Sequence, residues 1–390
     1  MLSTRMPSSA VENLASGRVF NFNAGPSVLP EEVLRQFQQD IWNFRGTGLG
    51  IMEHSHRAAP FQKVLDDAIA DVRKIGNIPA SYHVLFMTGG SSSQNFIVPA
   101  NLLSQGQTAD YIVTGYWGQR SFDDATQHAA SYGGRVHLAA SSKDTNHSYI
   151  PSAAQTRYSG PAPAYVHTTS NNTIYGTQWR TPSGHERLPE LPAGTPVVCD
   201  ACSDIFSRPI DVTKYGLIYA SAQKNLGITG ATVVIVSDEL VQRASTKIPR
   251  MLQLRTYVKE QSMPNTPPAF TIYTVGVMAK WILDQGGVHT LLDRNVRKAG
   301  LVYDAIDKAS AFYTPHARRE DRSVMNIVFR CNAGEAMDVK FTAEAAQQGL
   351  AGLAGHRAAG GMRASLYNAM PEAGAKALAG FIADFAQRNG

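Results

Sequence analysis

The chain has 390 residues, of which 43% are hydrophobic and 17% charged, and its formal net charge is +5. This length is sufficient for about two domains. The basic residues are scattered, with no run longer than Arg318–Arg319, which argues against a nucleic-acid partner. No apolar run approaches membrane-spanning length, so we predict no membrane association. Three cysteines fit a reducing compartment, and we expect a cytoplasmic protein.

The first 18 residues are rich in serine and contain Arg5, Arg18 and a single acid, Glu12. We predict a flexible tail over residues 1–18, with an organellar transit segment as the alternative. Residues 19–33 are predicted to pack with the smaller of two domains.

Two helices are predicted before the first strand of the main sheet. Glu31 and Glu32 place acidic side chains at the positive end of a helix that runs from Pro30 to Trp42. A longer helix is predicted over residues 60–74.

Apolar runs that alternate with helical stretches then predict seven strands. The strands are expected at 83–87, 111–114, 135–139, 164–168, 196–199, 216–220 and 231–236, with helices between several of them, as at 91–103 and 119–131. Such alternation is typical of a mostly parallel sheet with helices on its faces. We therefore predict an α/β large domain over residues 34–290, with ligands at the carboxyl ends of the strands.

The pattern changes after Val236. Residues 247–268 are proline-rich and are predicted to be irregular. The elements predicted after them are helices at 270–285 and 288–309, a strand at Met325–Phe329, a helix at 341–348, a strand at Met362–Leu366 and a helix at 374–388. They indicate a smaller α+β domain over residues 291–390.

Lys224 lies in a stretch of otherwise uncharged residues, Ala220–Gly227, between two predicted strands. Loss of solvation among small and apolar neighbours lowers the pKa of an ammonium group, which makes Lys224 a candidate imine-forming amine. A lysine that extends from a strand end into solvent is equally compatible with this stretch alone.

Asp200 directly follows the strand predicted at 196–199. A carboxylate at this point is suited to pair with a protonated pyridine nitrogen and so keep the ring an electron sink. A helix cap or a surface acid is the alternative.

Two motifs resemble metal sites, and we discount both. Cys199 and Cys202 form a C-x-x-C pair, but no second pair is present to complete a zinc site. His54 and His56 have no third histidine and no cysteine nearby in the sequence. We predict no metal site.

Three further positions have the chemistry to bind a flat, phosphorylated ligand. Gly89–Ser92 opens a helix after a strand, where backbone N–H groups receive phosphate, although a plain strand-to-helix turn is as common. Trp117 is placed to stack on a flat ring, and Thr173 to donate to a phenolic oxygen. Core packing and turn capping are the alternatives for these two residues.

Three arginines lie near glycines or histidines at His56–Arg57, His356–Arg357 and Arg363. Guanidinium groups bind carboxylate and phosphate bidentately. A surface ion pair is the usual role of a single arginine, but the repeated His-Arg pairs favour an anionic ligand.

Taken together, these motifs resemble the phosphoserine aminotransferases, pyridoxal-phosphate enzymes of the aspartate-aminotransferase fold (fold type I). The resemblance covers roughly residue 19 to the C terminus. The matching segments are Asn23–Pro26, His56–Arg57, Gly89–Gly90, Gly115–Trp117, Asp200, Ser207–Val212, Ala222–Asn225, Asn265–Pro268, Gly355–Arg357 and Gly361–Ser365.

The resemblance implies a role for each residue at the ring of the cofactor. Lys224 would form the imine and move the α-proton of the substrate, and Asp200 would pair with the pyridine nitrogen. Trp117 would stack on the ring, and Thr173 would contact the phenolic oxygen.

The cofactor phosphate would be bound by Ser91, Ser92 and Gln223, together with Asn265 and Thr266 of a partner subunit. Some family members have arginine where this chain has Ser91 and Ser92, so hydroxyl and backbone donors would replace a guanidinium here.

The substrate would be bound by its two anionic ends. Arg363 would take the α-carboxylate, and His56 and Arg57, with His356 and Arg357 of the partner subunit, would take the phosphate. The resemblance thus implies a homodimer with shared active sites that converts phosphoserine and 2-oxoglutarate to 3-phosphohydroxypyruvate and glutamate in serine biosynthesis. 4-Phosphohydroxythreonine, from pyridoxine biosynthesis, presents the same two anions.

Other reactions and classes are weaker alternatives. A serine–glyoxylate-type aminotransferase has little need for four phosphate-binding His and Arg residues. A cysteine desulfurase needs a mobile cysteine, whereas Cys331 lies in the predicted small domain and Cys199 and Cys202 at a strand end. A non-catalytic binding protein would not need both Lys224 and Asp200.

Overall fold

The structure is a computed structural model that describes residues 17–390. The tail predicted over residues 1–18 therefore lies, except for Gly17 and Arg18, outside the described residues. The strands are β1 (Phe20–Asn21), β2 (Tyr82–Thr88), β3 (Thr108–Val113), β4 (Arg135–Ser141), β5 (Val166–Thr169), β6 (Val197–Asp200), β7 (Leu217–Ser221), β8 (Ala231–Ser237), β9 (Tyr313–Pro315), β10 (Asn326–Cys331), β11 (Leu350–Ala351) and β12 (Met362–Ser365).

The helices carry the amphipathic and capping signals that the sequence contains. They are α1 (Glu31–Trp42), α2 (Ala59–Gly76), α3 (Gln94–Leu102), α4 (Tyr116–Tyr132), α5 (Asp238–Arg243), α6 (Leu254–Lys259), α7 (Ala269–Asp284), α8 (Gly287–Lys308), α9 (Glu335–Gln347) and α10 (Glu372–Asn389). At the start of α5 the Ser237 hydroxyl accepts a hydrogen bond from the Leu240 N–H at 3.2 Å. Helix α2 ends at Gly76 and is capped by Asn77, which adopts the left-handed conformation that asparagine tolerates.

Seven strands form the central sheet in the order β2-β8-β7-β6-β5-β3-β4. Strand β8 is antiparallel to β2 and β7, whereas the other neighbouring pairs are parallel. All seven predicted strands are present, and the predicted mostly parallel α/β fold is confirmed.

Alternate residues of each strand pack against helices on opposite faces of this sheet. Ile218 and Val233 join one apolar core with α1, α2 and α7. Tyr219 and Val234, their neighbours in sequence, join the other core with helices α3 to α6. Helices cover both faces of the sheet. The polar side chains that directly follow the strands therefore lie at the edge formed by the strand ends.

A second, smaller sheet has the order β12-β10-β9, and all of its strands are antiparallel. Its apolar core includes residues of α8, α9 and α10 together with Phe20, Phe22 and Val28 of the N-terminal segment. Strand β1 pairs with β11, with Phe20 opposite Leu350. The domain boundaries after residues 33 and 290 stay predictions.

Several predicted elements differ from the observed ones. Helix α9 begins at Glu335, earlier than the predicted 341. The segment 247–268 contains the short helix α6, whose length is only six residues. Helix α4 begins at Tyr116, earlier than 119, so Trp117 lies in its first turn.

No helix within residues 17–390 is both long enough and apolar enough to cross a bilayer. In the same part of the chain, no cluster of three or more His, Cys, Asp or Glu side chains has the arrangement of a metal site.

Candidate active site

A cavity of about 300 Å³ lies at the carboxyl ends of the parallel strands of the central sheet. Nine of the residues predicted from the sequence line it: Ser91, Ser92, Trp117, Thr173, Asp200, Gln223, Lys224, His356 and Arg363. They come from five separate strand ends or loops and from the smaller sheet. The fold therefore assembles in one place residues that are far apart in the sequence.

Lys224 lies in the loop that connects β7 to β8, and its side chain is half-buried. Its Nζ donates a hydrogen bond to Thr173 Oγ1 at 3.2 Å. The N-terminal segment holds this loop, since Ser27 Oγ donates to the Lys224 carbonyl at 2.6 Å. At Gly25, where φ is +143°, an added Cβ would lie only 3.3 Å from Lys224 Cγ. The lysine is thus fixed along its stem while its amine faces the cavity.

Asp200 is the last residue of β6, and only 6% of its surface is exposed. Burial raises the pKa of this carboxyl group, while the hydrogen bond from the Cys202 N–H and the positive charge of Lys224 lower it. That N–H lies 3.0 Å from Asp200 Oδ1. A buried carboxylate in such a place is stabilised further by any cation that enters the cavity.

The loop between β2 and α3 is anchored to neighbouring strand ends. The Ser91 N–H donates to Ser221 Oγ at 2.6 Å, and Thr232 Oγ1 donates to the Gly89 carbonyl at 3.0 Å. Residues 91–93 form a short 3-10 turn before α3. Ser91 and Ser92 therefore present hydroxyl and amide donors at the rim of the cavity.

Trp117 forms one wall of the cavity and remains 37% exposed. The ring of Tyr116 stands perpendicular to it, with centroids 5.1 Å apart. An indole with an open face beside a cavity is suited to stack on a planar ligand.

Arg363 on β12 and His356 bring cationic or basic groups from the smaller sheet. Arg363 Nη1 donates to the Thr173 carbonyl at 3.5 Å, and Arg363 Nε is buried with no hydrogen-bond partner among the described residues. Burial lowers the pKa of both groups, and for His356 the charges of Arg363 and Arg357 lower it further. This part of the cavity suits an anion.

Comparison with known proteins gives a consistent result. Residues 19–378 match the family model of class-V aminotransferases. The phosphoserine aminotransferase of Herpetosiphon aurantiacus is 45% identical over 95% of this chain and 99% of that protein. The chain belongs to the phosphoserine aminotransferase family.

Solved structures of this family have the same fold. The phosphoserine aminotransferase of Bacillus circulans subsp. alkalophilus matches with a TM-score of 0.89 and 42% identity, covering 96% of this chain and 99% of that one. The enzyme of Trichomonas vaginalis, solved with pyridoxal phosphate bound, matches with a TM-score of 0.88 and 32% identity over 94% and 99% of the two chains. The prediction of a pyridoxal-phosphate-dependent transaminase is confirmed.

The residues of the cavity fit this cofactor. An amine, a buried carboxylate, an indole and serine hydroxyls match its aldehyde, its pyridine nitrogen, its ring and its phosphate. In addition, Thr169 Oγ1 is buried in the cavity wall without a hydrogen-bond partner among the described residues. An unpaired buried hydroxyl is costly, so it marks a place where a polar ligand belongs.

Five predicted residues do not line the cavity of their own chain: His56, Arg57, Asn265, Thr266 and Arg357. His56 and Arg57 follow the 3-10 turn at Ile51–Glu53, and Arg57 and Thr266 are exposed. His356 and Arg357 are adjacent in the sequence, but only His356 lines the cavity of its own chain.

Sequence reasoning missed several residues of the cavity. They are Thr169, Asn171, Ile174, Cys202 and Ser203; Ala24 and Gly25 also line the cavity and belong to the matching segment Asn23–Pro26, but no role was predicted for them. Thr169 could have been found, because it ends β5 opposite Asp200 in the next strand. The others follow from tertiary packing, which no local pattern shows.

Proposed function

We propose that the protein catalyses the transfer of an amino group between O-phosphoserine and 2-oxoglutarate, with 3-phosphohydroxypyruvate and glutamate as the other pair. The observation that carries this proposal is the convergence of Lys224, Asp200 and Arg363 on one cavity. Transamination needs a base, an acidic partner for the ring and a group that orients the amino acid. Membership of the family supports the substrate pair.

The bound cofactor supplies an aldehyde that takes up amino groups and a ring that accepts electrons. Lys224 accepts the proton from the substrate Cα and returns it, as its half-buried amine faces the cavity. Asp200 would hold the pyridine nitrogen in its protonated form, since a buried carboxylate favours a cation beside it. Ser91, Ser92 and Gln223 would bind the cofactor phosphate, and Trp117 would stack on the ring.

Arg363 binds the α-carboxylate and so orients the bond from Cα to the departing proton. His56, Arg57, His356 and Arg357 bind the substrate phosphate. Because Arg57, Asn265 and Thr266 do not line the cavity of their own chain, we expect two subunits to share each site. Asn265 and Thr266 of the partner subunit complete the cofactor phosphate site.

We propose that this reaction serves serine biosynthesis and that the protein is cytoplasmic. 4-Phosphohydroxythreonine, which carries the same carboxylate and phosphate, is a further substrate and connects the enzyme to pyridoxine biosynthesis.

The proposal is tested with purified holoenzyme and its visible absorbance. We expect phosphoserine to shift the cofactor spectrum, 2-oxoglutarate to restore it, and glutamate to form in proportion. Lys224→Ala should abolish turnover, because none of the other described residues that line the cavity is a lysine. Full turnover in that variant, or equal kcat/KM for serine and phosphoserine, contradicts the proposed function.

A further inference from the structure

The three segments that carry the main functional side chains continue into buried turns that meet. Asp200 leads into the turn at 201–207, Lys224 is followed by Asn225, and Arg363 is followed after β12 by the turn at 366–370. They meet at Asn368, of which 6% is exposed.

Asn368 bonds to each of the other two segments and to helix α8. Its backbone N–H donates to Asn225 Oδ1 at 3.0 Å, and its Nδ2 donates to the Phe206 carbonyl at 2.9 Å. Its Oδ1 accepts from Asn295 Nδ2 at 2.9 Å. Asn225 Nδ2 in turn donates to the Ile205 carbonyl at 2.9 Å, which joins the Lys224 and Asp200 segments directly.

The backbone at Phe206 shows that this junction is held tightly. Its φ is +52°, a left-handed conformation that is unusual for a bulky residue. Such a conformation persists only where the surroundings impose it. Here the carbonyls of Phe206 and Ser207 receive the side-chain amides of Asn368 and Asn295, the latter at 3.0 Å.

We infer that Asn368 is a positioning residue that fixes Arg363 relative to Lys224 and Asp200. The inference rests on the proposed function, in which Arg363 binds the α-carboxylate while Lys224 moves the α-proton. Loss of the Asn368 side chain removes the bonds that hold the turn after β12 against Phe206 and Asn295. Arg363 can then shift relative to Lys224 and Asp200, and the bond from Cα to its proton is no longer correctly oriented. A displacement of about 1 Å costs up to roughly a hundredfold in rate.

A second set of bonds keeps the same turn folded without the Asn368 side chain. Lys298 Nζ donates to the carbonyls of Leu366, Tyr367 and Met370 at 2.9, 2.8 and 3.1 Å. We therefore expect Asn368→Ala to fold and to bind the cofactor.

The test compares Asn368→Ala with a matched buried asparagine away from the cavity. Asn101 is also buried, donates to the carbonyls of Ile97 and Leu252, both at 2.8 Å, and accepts from the Leu254 N–H at 3.0 Å. Asn101→Ala should lower the melting temperature without changing kcat/KM. Asn368→Ala should lower kcat/KM about ten- to a hundredfold while the cofactor spectrum remains.

A double mutant separates positioning from general destabilisation. If Asn368 acts through Arg363, the loss caused by Asn368→Ala should shrink to about threefold or less in the Arg363→Lys background, since coupled residues are not additive. Asn295→Ala, which removes one partner of Asn368 without altering the turn itself, should give a loss in the same direction.

The outcomes distinguish this inference from the proposed function. The rates are measured with glutamate as well as phosphoserine, because both carry an α-carboxylate. If the protein acts on glutamate but not on phosphoserine, the proposed substrate is wrong. The role of Asn368 is then still tested by the rates measured with glutamate. Wild-type kcat/KM in Asn368→Ala and Asn295→Ala, or additive losses with Arg363→Lys, overturns the inference.

Discussion

Arg57 differs from Arg363 in that it is exposed and does not line the cavity of its own chain. If it binds the substrate phosphate, its loss removes a charge-assisted hydrogen bond to an anion, worth about 1.5–3 kcal/mol. We predict that Arg57→Ala lowers kcat/KM for phosphoserine about ten- to a hundredfold and for unphosphorylated serine less than about threefold. Steady-state kinetics with both amino donors test this prediction. Equal losses of kcat/KM for the two donors would indicate a structural role for Arg57.

His147 is a residue whose ionisation matters for stability. Burial lowers its pKa from 6.5 to about 4, helped by the charges of Lys143 and His316 and opposed by Asp144. Between pH 6.5 and about 4, His147 is protonated in the unfolded chain but stays neutral in the folded chain. The stability contributed by His147 is therefore present above pH 6.5 and is lost as the pH falls toward 4.

We predict that His147→Asn weakens this acid sensitivity, by at most about 1.4 kcal/mol per pH unit between pH 6 and 4. Asparagine tolerates the left-handed backbone of this position, where φ is +59°. Denaturant unfolding at pH 7 and pH 5 measures the difference, with the wild type as control. Identical pH dependence in both proteins would show that His147 does not contribute.

At the scale of elements, the sequence indicates strands and helices well but not their directions. All seven strands of the central sheet follow from apolar runs, yet nothing in the run that forms β8 shows that it is antiparallel to its neighbours. Strands β1, β9 and β11 contain only two or three residues, too few for a period. These short strands exist because tertiary packing aligns their backbones.

Helix α7 supports the loop that carries Lys224 through a close glycine contact. Gly227 has a φ of +133°, and an added Cβ would lie 2.7 Å from Thr274 Oγ1. We predict that Gly227→Ala lowers the free energy of unfolding by about 2–4 kcal/mol, through backbone strain and overpacking. Thermal unfolding measures this loss.

Gly300 on helix α8 provides the matched control for that prediction. An added Cβ at Gly300 meets no heavy atom within 4 Å. Gly300→Ala should therefore be neutral or stabilise the helix by up to about 1 kcal/mol. If both alanine variants unfold alike, the contact between α7 and the loop is unimportant.

At the scale of the whole molecule, the sequence indicates those parts of the site that lie at strand ends. Gly89–Gly90, Trp117, Thr173, Asp200 and Lys224 all follow predicted strands, and the carboxyl ends of parallel strands lie at one edge of a sheet. Arg363 reaches them from another sheet, and only family resemblance predicted this. Ser27 and Asn368 were not found, because their role depends on contacts between segments far apart in sequence.

The stretch that precedes Arg57 in the sequence indicates how two chains would meet. Trp42, Met52 and Leu49 are large apolar side chains that are 85%, 58% and 46% exposed within one short stretch. Exposed apolar groups of this size, close together in the chain, mark an interaction surface. If two chains meet there, His56 and Arg57 lie beside the contact, which accounts for their absence from the cavity of their own chain.

We therefore predict that Trp42→Glu with Met52→Glu dissociates a dimer, since buried unpaired carboxylates are costly. Activity should fall on dilution and return at high protein concentration, because assembly follows mass action. Light scattering and phosphoserine turnover, measured over one dilution series, test this together. The control is Val339→Glu, at an apolar residue of α9 that is 61% exposed. It should leave the oligomeric state and the phosphoserine turnover unchanged. A wild-type protein that is monomeric and fully active would rule out shared sites, and Arg57 would then have to reach the substrate phosphate by movement within one chain.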